Sequence, residues 1–387
     1  MYSMNRSAFR RGLILGILLV LIAIALGGAQ KSTDSLFSPL DQVYKYIKTY
    51  FYWPERIDNQ KLLYGALKGM VQQLDDPYSE FMDPQDYEQF EESMEGKFSG
   101  VGIEITIKDG VLTVIAPLAD TPAEKAGVRA GDQILEIDGE STEGITLSEA
   151  SVKIRGPEGT TVTLHVRHKD GTEEDIPIVR ATITVDSVSS KTVADGKVAY
   201  IRVIRFDQNV SLELDRALLG FDLDHMDGII LDLRNNPGGL LRSAISVSSR
   251  FVDKGIILTV KDRVSGDESY WSTGNTIPNL PLAVLVNGGT ASAAEITAGA
   301  IRDHEMGILI GEKTFGKGVI QRMINFPDGS ALKITTGEYH TPSGRAVQGV
   351  GIEPDITLAE DEDPIEVATA WIEAHAGERM PIALGNQ

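Results

Sequence analysis

The period of the hydrophobic pattern changes along the chain, and each change marks a predicted boundary. Residues 1–29 contain a nearly unbroken apolar run, whereas residues 35–95 repeat apolar positions every three or four residues, as amphipathic helices do. Residues 96–180 alternate with a period of two, which predicts short strands. Residues 181–360 alternate apolar strands with helices, and residues 361–387 hold an acidic helix and a tail. We predict a helical region, a small strand-rich domain, a larger α/β core and a C-terminal helix.

The predicted α/β core places its glycine-rich turns directly after apolar strands. The strand at 228–233 is followed by a turn at 234–239, and the strand at 282–286 is followed by a loop rich in small residues. A third apolar strand precedes the turn at 311–318. Strand, turn and helix in repetition favour a mixed sheet with outer helices. Ligands of such sheets bind beyond the carboxyl ends of the strands, so these three loops are the candidate site.

The N-terminal segment has the order of features of a bacterial export signal. Arg6, Arg10 and Arg11 precede the apolar run, and the first carboxylate is Asp34. The run of about 17 residues lies at the short limit for a membrane-spanning helix, so a cleaved signal peptide and a retained signal anchor both stay open. We expect the following chain in the periplasm, free or anchored to the inner membrane.

Composition narrows the classes of partner and of chemistry. The 387 residues carry a formal net charge of -20, so the chain and nucleic acid would repel each other. We therefore expect no nucleic-acid partner. The absence of cysteine excludes disulfides and a thiol nucleophile. With 42% hydrophobic residues, the chain can bury the cores of two or three folded units.

Two motifs in residues 96–180 resemble those of PDZ domains. The span Gly131–Gly139 is similar to the central strand motif of that family, and two capping boxes, which begin at Thr121 and Thr146, predict its two short helices. Successive backbone N–H groups of a glycine-containing loop can bind a carboxylate. An extended peptide can at the same time pair with the edge of the sheet as an additional strand. The resemblance implies that a substrate's C-terminus binds at four residues, which are Gly100, Val101, Gly102 and Ile103.

Arg155 follows the predicted second helix of this domain and is the nearest strong cation to the peptide groove. Two interpretations stay open. It could sense a bound carboxylate, or it could be a solvated charge at a helix C-terminus.

Ser292 is the candidate nucleophile of the α/β core. It lies between Ala291 and Ala293 at the predicted start of a helix, where unsatisfied amides and the helix dipole favour negative charge. An oxyanion requires two N–H donors aimed at one point, for which Ala293 and Gly238 are the candidates. A serine in this position is also an ordinary helix-capping residue, so the assignment depends on a base.

Lys317 is the candidate base. The sequence lacks a Gly-x-Ser-x-Gly elbow, and His304 would stand about 16 Å from Ser292 along the same helix. A serine–lysine pair is the alternative, and it needs a neutral lysine, which burial in an apolar site supplies. The turn Gly311–Gly318 also approaches a phosphate-binding loop, but Gly318 replaces the required serine or threonine and a strand follows it.

Five ordered motifs give the chain a specific resemblance to the carboxyl-terminal processing proteases, also called tail-specific proteases. Besides the PDZ loop they are the segments 232–241, 287–295, 315–321 and the paired 341–345 and 351–355. The resemblance implies a dyad of Ser292 and Lys317, an assisting Gln321, and oxyanion amides at Gly238 and Ala293. Gln321 can orient Lys317 only if the chain bends at Gly318, because four residues of a strand span about 13 Å.

The sequence thus predicts an exported serine endopeptidase, without a cofactor, that binds C-terminal or unfolded protein tails through its PDZ domain. Its expected partners are proteins or peptides with accessible C-termini, with an adaptor protein and a homo-oligomer left open. The alternative is a non-catalytic PDZ scaffold that binds protein C-termini. An acyl-CoA-type enzyme on a related core is disfavoured by the export signal and the PDZ domain.

Overall fold

A computed structural model describes residues 37–377, apart from residues 109, 119, 120, 146, 185, 275, 278, 279 and 360. The predicted export segment therefore lies outside the described residues. Within the described ranges, no helix has both the length and the apolar character needed to cross a membrane. The chain divides into two compact units, Met1–Gly69 and Met70–Gln387.

The helices follow the predicted periodicity in most places. The first two are amphipathic, and α1 buries none of its side chains. In chain order the helices are α1 (Ser38–Tyr50), α2 (Asn59–Gln72), α3 (Pro84–Met94), α4 (Pro122–Lys125), α5 (Leu147–Ile154), α6 (Val210–Leu219), α7 (Leu241–Ser248), α8 (Ala293–Asp303) and α9 (Pro364–Ala374).

The strands form a PDZ sheet, a two-stranded ladder and two sheets of the α/β core. In chain order they are β1 (Glu80–Met82), β2 (Lys97–Gly100), β3 (Ile103–Lys108), β4 (Val111–Pro117), β5 (Gln133–Ile137), β6 (Glu140–Ser141), β7 (Thr161–Arg167), β8 (Glu173–Val179), β9 (Ala181–Thr184), β10 (Val188–Val193), β11 (Val198–Val203), β12 (Gly228–Asp232), β13 (Ile256–Asp262), β14 (Gly266–Trp271), β15 (Leu282–Val286), β16 (Ile308–Gly311), β17 (Val319–Asn325), β18 (Ala331–His340) and β19 (Ile356–Thr357).

The central sheet of the core has the order β10-β11-β12-β15-β16-β19. β10 is antiparallel to β11, and the other neighbours pair in parallel. Every residue of β12 and β15 is buried, as expected for parallel strands that are covered on both faces. Helices α6, α7 and α8 contribute to the apolar cluster on one face, and Ala368 and Ile372 of α9 contribute to the cluster on the other. The predicted mixed sheet with outer helices is confirmed.

A second core sheet is antiparallel, with β18 between β17 on one side and β1 and β13 on the other, and with β14 beyond β13. The sequence pattern missed β13, β14 and β18, because their alternation is interrupted by polar residues. The short strand β1 also corrects the prediction that residues 35–95 are helical throughout. It pairs Glu80 with Lys333, which joins this part of the chain to the core.

The PDZ sheet has the order β3-β4-β5-β7-β8, with β6 beside β5, and encloses its own apolar cluster. Helix α4 begins after Thr121, as predicted, but the Thr121 hydroxyl donates to the carbonyls of Gly102 and Leu118 and makes no helix cap. The predicted cap Thr146 lies outside the described residues. In the core, the Asp207 carboxylate accepts hydrogen bonds from the N–H groups of Asn209 and Val210 at the start of α6.

Candidate active site

Ser292 adopts a strained backbone conformation at the start of α8. Its φ of 55° and ψ of -117° lie outside the regions that non-glycine residues ordinarily occupy. Such a residue costs about 1–3 kcal/mol and persists only where its surroundings enforce it. Here the preceding Ala291 N–H donates to Asn236 O, and the Thr290 hydroxyl donates to Leu233 O. The loop after β15 is therefore fixed by the turn after β12.

The turn after β12 places Gly238 against the serine. A Cβ atom at Gly238 would lie 2.7 Å from the Ser292 Cβ and 2.8 Å from the Ala293 nitrogen, so the close approach requires glycine. The Gly238 N–H donates to Asn236 Oδ1 at 2.8 Å. The two predicted oxyanion residues thus lie side by side, with the amide of Gly238 engaged by a side chain. Ala293 is the first residue of α8, where an N–H group has no intrahelical partner.

Lys317 ends the glycine-rich turn after β16 and is partly buried. Its Nζ lies over the ring of Tyr78, 4.6 Å from the ring centroid. Burial lowers the pKa of the Lys317 amine below its usual value, and the positive charge of Lys333 lowers it further, while Asp76 and Glu295 act in the opposite direction. Among the described residues, no hydrogen bond joins Lys317 Nζ to Ser292 Oγ. The two side chains are therefore not hydrogen-bonded to each other in this structure.

Glu295 holds the backbones of both predicted dyad residues. Its buried carboxylate accepts the N–H groups of Ser292 and Lys317, each at 2.9 Å on Oε2. Its other oxygen accepts from the Thr314 hydroxyl at 2.5 Å and from the Gly316 N–H at 2.7 Å. One carboxylate therefore joins the serine loop to the lysine turn through four donors.

Tyr339 completes this connection from β18. Its hydroxyl lies 3.2 Å from the Ser292 carbonyl oxygen and 2.9 Å from the Lys317 carbonyl oxygen, to which it donates. The ring is fully buried, and burial raises the pKa of Tyr339 well above its usual value. The hydroxyl therefore remains a neutral donor. Ser292 and Lys317 are bridged twice, through their N–H groups by Glu295 and through their carbonyl groups by Tyr339.

Gln321 lies on β17, directly after a register irregularity between Ile320 and Gln321. Its Nε2 donates to the Thr335 hydroxyl of β18 at 3.3 Å. The strand begins at Val319, so the chain leaves the glycine turn just before it. The structure therefore places Gln321 beside β18 and shows no hydrogen bond between it and Lys317 within the described residues.

The predicted peptide groove has a volume of about 210 Å³. Its lining includes all four residues predicted to bind a substrate C-terminus, and the loop bends at Gly102, whose φ is 78°. Arg155 and Arg205 also line it, with guanidinium carbons 5.0 Å and 4.3 Å from the ring centroid of Phe98. In the described part of the chain, neither arginine forms an ion pair, and Arg205 Nε is buried without a hydrogen-bond partner. Two unpaired guanidinium groups make this groove suited to an anion.

Arg205 lies between β11 and α6, so the protease core contributes to the PDZ groove. Burial lowers the pKa of Arg205 and of Arg155, and the charge of Arg155 lowers that of Arg205 further. The sequence singled out Arg155 alone, because Arg205 follows a core strand with no nearby PDZ motif.

The remaining motif residues anchor helix α8. Asp303 accepts from the Ser343 N–H and from the Arg345 guanidinium, and Arg302 pairs with Asp355 at 2.8 Å.

The other candidates for a base or for a nucleotide-binding loop do not take part in this site. His304 Nε2 contacts Ile256 O, Lys313 pairs with Glu353 on the surface, and Gly318 precedes a strand instead of a helix.

Models of three known families match parts of the chain. A model of Peptidase family S41 matches residues 197–358, and a PDZ domain model matches residues 113–168. A model of the activating protease CtpB N-terminal domain matches residues 25–86.

Relatives cover most of the chain. The carboxy-terminal-processing protease of Bartonella bacilliformis is 42% identical over 309 residues, which is 78% of this chain and 70% of the relative. The carboxy-terminal processing protease CtpA of Bacillus subtilis is 39% identical over 333 residues, which is 86% of this chain and 71% of the relative. The solved photosystem II D1 C-terminal processing protease is 30% identical, with a TM-score of 0.53 over 82% of this chain and 89% of that one. The chain therefore belongs to the carboxy-terminal processing proteases, which are serine peptidases of family S41, and it carries a PDZ domain.

Proposed function

We propose that this peptidase is exported and cleaves envelope proteins near C-terminal or unfolded tails, with Ser292 as nucleophile and Lys317 as base. The observation that carries the proposal is the strained Ser292 backbone, bridged to Lys317 by Glu295 and by Tyr339. Strain of this kind is concentrated at catalytic positions. Burial of Lys317 supports its role, because a serine–lysine reaction needs the neutral amine.

In the proposed reaction, the lone pair of Lys317 Nζ takes the proton of Ser292 Oγ. Oγ then bonds to the carbonyl carbon of the scissile peptide, and the carbonyl electron pair moves to its oxygen. The protonated lysine next donates its proton to the leaving amine as the C–N bond breaks. Water hydrolyses the acyl-enzyme by the same proton path, returning a proton to Oγ.

The resting geometry requires two adjustments before this reaction. Lys317 Nζ has to approach Ser292 Oγ from its position over the Tyr78 ring, while the backbone bridges keep both loops in place. Gly238 N–H has to exchange Asn236 Oδ1 for the developing oxyanion, which the Ala293 N–H also stabilises. We propose that substrate binding in the PDZ groove favours both changes, with Gln321 orienting the lysine.

Tail recognition is assigned to the groove bounded by Gly100–Ile103, Arg155 and Arg205. The unpaired guanidinium groups and the bent glycine loop suit a terminal carboxylate, and the apolar lining suits an apolar last side chain. Protein substrates with accessible C-termini are the proposed partners. An adaptor protein and self-association are compatible with the N-terminal helical region.

The dyad is tested by cleavage of a soluble reporter protein that carries an unstructured, apolar C-terminal tail. Ser292→Ala and Lys317→Ala are each expected to lower kcat/KM by at least about a thousandfold, since each removes a reacting group. Lys313→Ala, which alters the other lysine of the same turn, is expected to retain activity because Lys313 forms a surface ion pair with Glu353. Retained turnover in either dyad variant contradicts the proposal, and cell fractionation that finds the protein only in the cytosol contradicts export.

A further inference from the structure

The turn Asp76–Ser79 lies against the lysine although it is remote in sequence and outside the segment matched by the peptidase model. The Tyr78 ring lies beneath Lys317 Nζ, and the charge of Asp76 acts on the same amine. The hydrophobic pattern predicted only helices in residues 35–95, which include this turn. Its position raises the question of what Asp76 does at the site.

Asp76 organises the turn and ties it to β18. Its carboxylate accepts the Ser79 hydroxyl at 2.5 Å and the Tyr78 N–H at 3.1 Å. Ser79 Oγ in turn accepts the Thr335 N–H at 3.0 Å. The Tyr78 ring is therefore held beside the lysine by contacts that begin at Asp76 and end at Thr335.

The Asp76 carboxylate is also connected to Gln321 through Ser79 and Thr335. Partial burial raises the pKa of Asp76, but hydrogen bonds from the Ser79 hydroxyl and the Tyr78 amide and the charge of Lys317 lower it overall, so the ionised carboxylate accepts the Ser79 hydroxyl. Ser79 Oγ accepts the Thr335 N–H, and the Thr335 hydroxyl accepts from Gln321 Nε2 at 3.3 Å. This orientation leaves the Gln321 carbonyl oxygen as the acceptor available to an amine.

Asp76 further acts on the charge state of Lys317. The groups that act on this amine are Lys333 from β18, Glu295 from α8 and Asp76 from the turn. Burial and Lys333 favour the neutral amine, whereas the two carboxylates favour the cation. The Glu295 carboxylate holds the serine loop and the lysine turn together through four hydrogen bonds, so its removal would disturb both loops. Removing the Asp76 carboxylate changes the charge near Lys317 and leaves those four bonds in place.

We propose that Asp76 is a positioning residue for the Ser292–Lys317 reaction: it seats the lysine through Tyr78 and orients Gln321 through Thr335. This inference rests on the proposed dyad and adds a residue that contacts neither the substrate nor the serine. It predicts a change in the pH dependence of the reaction, which a role limited to holding the fold would not produce.

The test compares Asp76→Asn with Asp75→Asn, an exposed neighbouring carboxylate with a φ of 51°, which asparagine tolerates. Both are assayed on the tailed reporter over a range of pH. Asp76→Asn is expected to lower kcat about tenfold to a hundredfold with little change in KM, because the amine and Gln321 lose their positions. Its acidic limb of kcat/KM is expected to move to lower pH, because the lost negative charge no longer favours the lysine cation. Asp75→Asn is expected to match the wild type.

A second pair of variants tests the role of the Thr335 hydroxyl, which accepts from Gln321, and controls for a folding defect in Asp76→Asn. Thr335→Ser keeps the hydroxyl and is expected to retain most activity, whereas Thr335→Val removes it and is expected to reproduce the kcat loss of Asp76→Asn. Thermal unfolding establishes that each variant is folded, and the Thr335 pair carries the test if Asp76→Asn is not. This inference is overturned if a folded Asp76→Asn has an unchanged pH profile, or if the two Thr335 variants are equally active. In either case the proposed dyad still holds as long as Ser292→Ala and Lys317→Ala are inactive. An active Lys317→Ala overturns both.

Discussion

At the scale of single residues, the site depends on backbone placement as much as on reacting side chains. Glu295 and Tyr339 contact the same two residues, Ser292 and Lys317, one through their N–H groups and the other through their carbonyl groups. These bridges restrict both backbones, so the lysine side chain, and not the loop that carries it, has to move toward the serine. Tertiary contacts of this kind also offset the strain at Ser292.

Glu295→Gln is expected to impair both stability and catalysis. Glutamine keeps one acceptor oxygen and turns an NH₂ group toward two of the four donors, which leaves buried N–H groups unpaired. Each unpaired donor costs about 1–3 kcal/mol, so the free energy of unfolding is expected to fall by at least about 2 kcal/mol. Chemical denaturation and kcat on the tailed reporter measure the two effects. The matched control Glu353→Gln removes a surface ion pair and is expected to change stability by less than about 1 kcal/mol. Equal effects of the two variants would contradict the role of Glu295 in joining the serine loop to the lysine turn.

At the scale of elements, the PDZ sheet carries a buried ionic cluster that is separate from the reaction. His168, after β7, lies 2.8 Å from Asp132 Oδ1 and 2.7 Å from Glu174 Oε1. Hydrogen bonds to Glu174 and then Asp132 raise the pKa of His168 above its usual 6.5, although burial opposes them. The aspartate of the Gly131–Gly139 motif thus anchors the strand end and also accepts the Arg129 N–H.

His168→Gln is expected to destabilise the chain in a pH-dependent way. The folded-state pKa is raised, so the stabilisation by the charged imidazole is fully present below pH 6.5 and is lost as pH rises through the folded-state value. The difference in thermal unfolding between wild type and variant is therefore expected to shrink as the pH rises above about 6.5. His225→Gln, which removes a solvent-exposed pair with Asp222, serves as the control and is expected to show a much smaller difference, because an exposed pair contributes little to stability. A His168 difference that grows with pH refutes the charged cluster.

At the scale of the whole molecule, the PDZ groove and the protease core share a surface. Arg205 comes from the core, Arg155 and the glycine loop come from the PDZ domain, and Phe98 lies beneath both guanidinium groups. A bound tail would therefore contact both parts at once.

Arg205→Gln is expected to weaken recognition of the terminal carboxylate more than the chemical step. Reporter tails that end in a free carboxylate or in a carboxamide separate the two effects. The wild type is expected to prefer the carboxylate by about tenfold to a hundredfold in KM, and the variant to lose most of that preference, since a hydrogen bond to a charged group contributes about 1.5–3 kcal/mol. Arg202→Gln, on the exposed side of β11, controls for net charge. A preference that survives in Arg205→Gln excludes this arginine from the groove's recognition.

The sequence by itself determined the local features of this protein, because each depends on neighbouring residues. Periodicity predicted the strand-rich and α/β parts, small residues placed Ser292 at a helix start, and a strand after Gly318 argued against a nucleotide-binding loop. Tertiary structure alone decided which distant groups meet. Glu295, Tyr339, Arg205 and Asp76 reach the two sites from separate elements, and Asn236 engages the Gly238 amide. Such contacts depend on strand register and loop packing, which carry no signal in the spacing of residues along the chain.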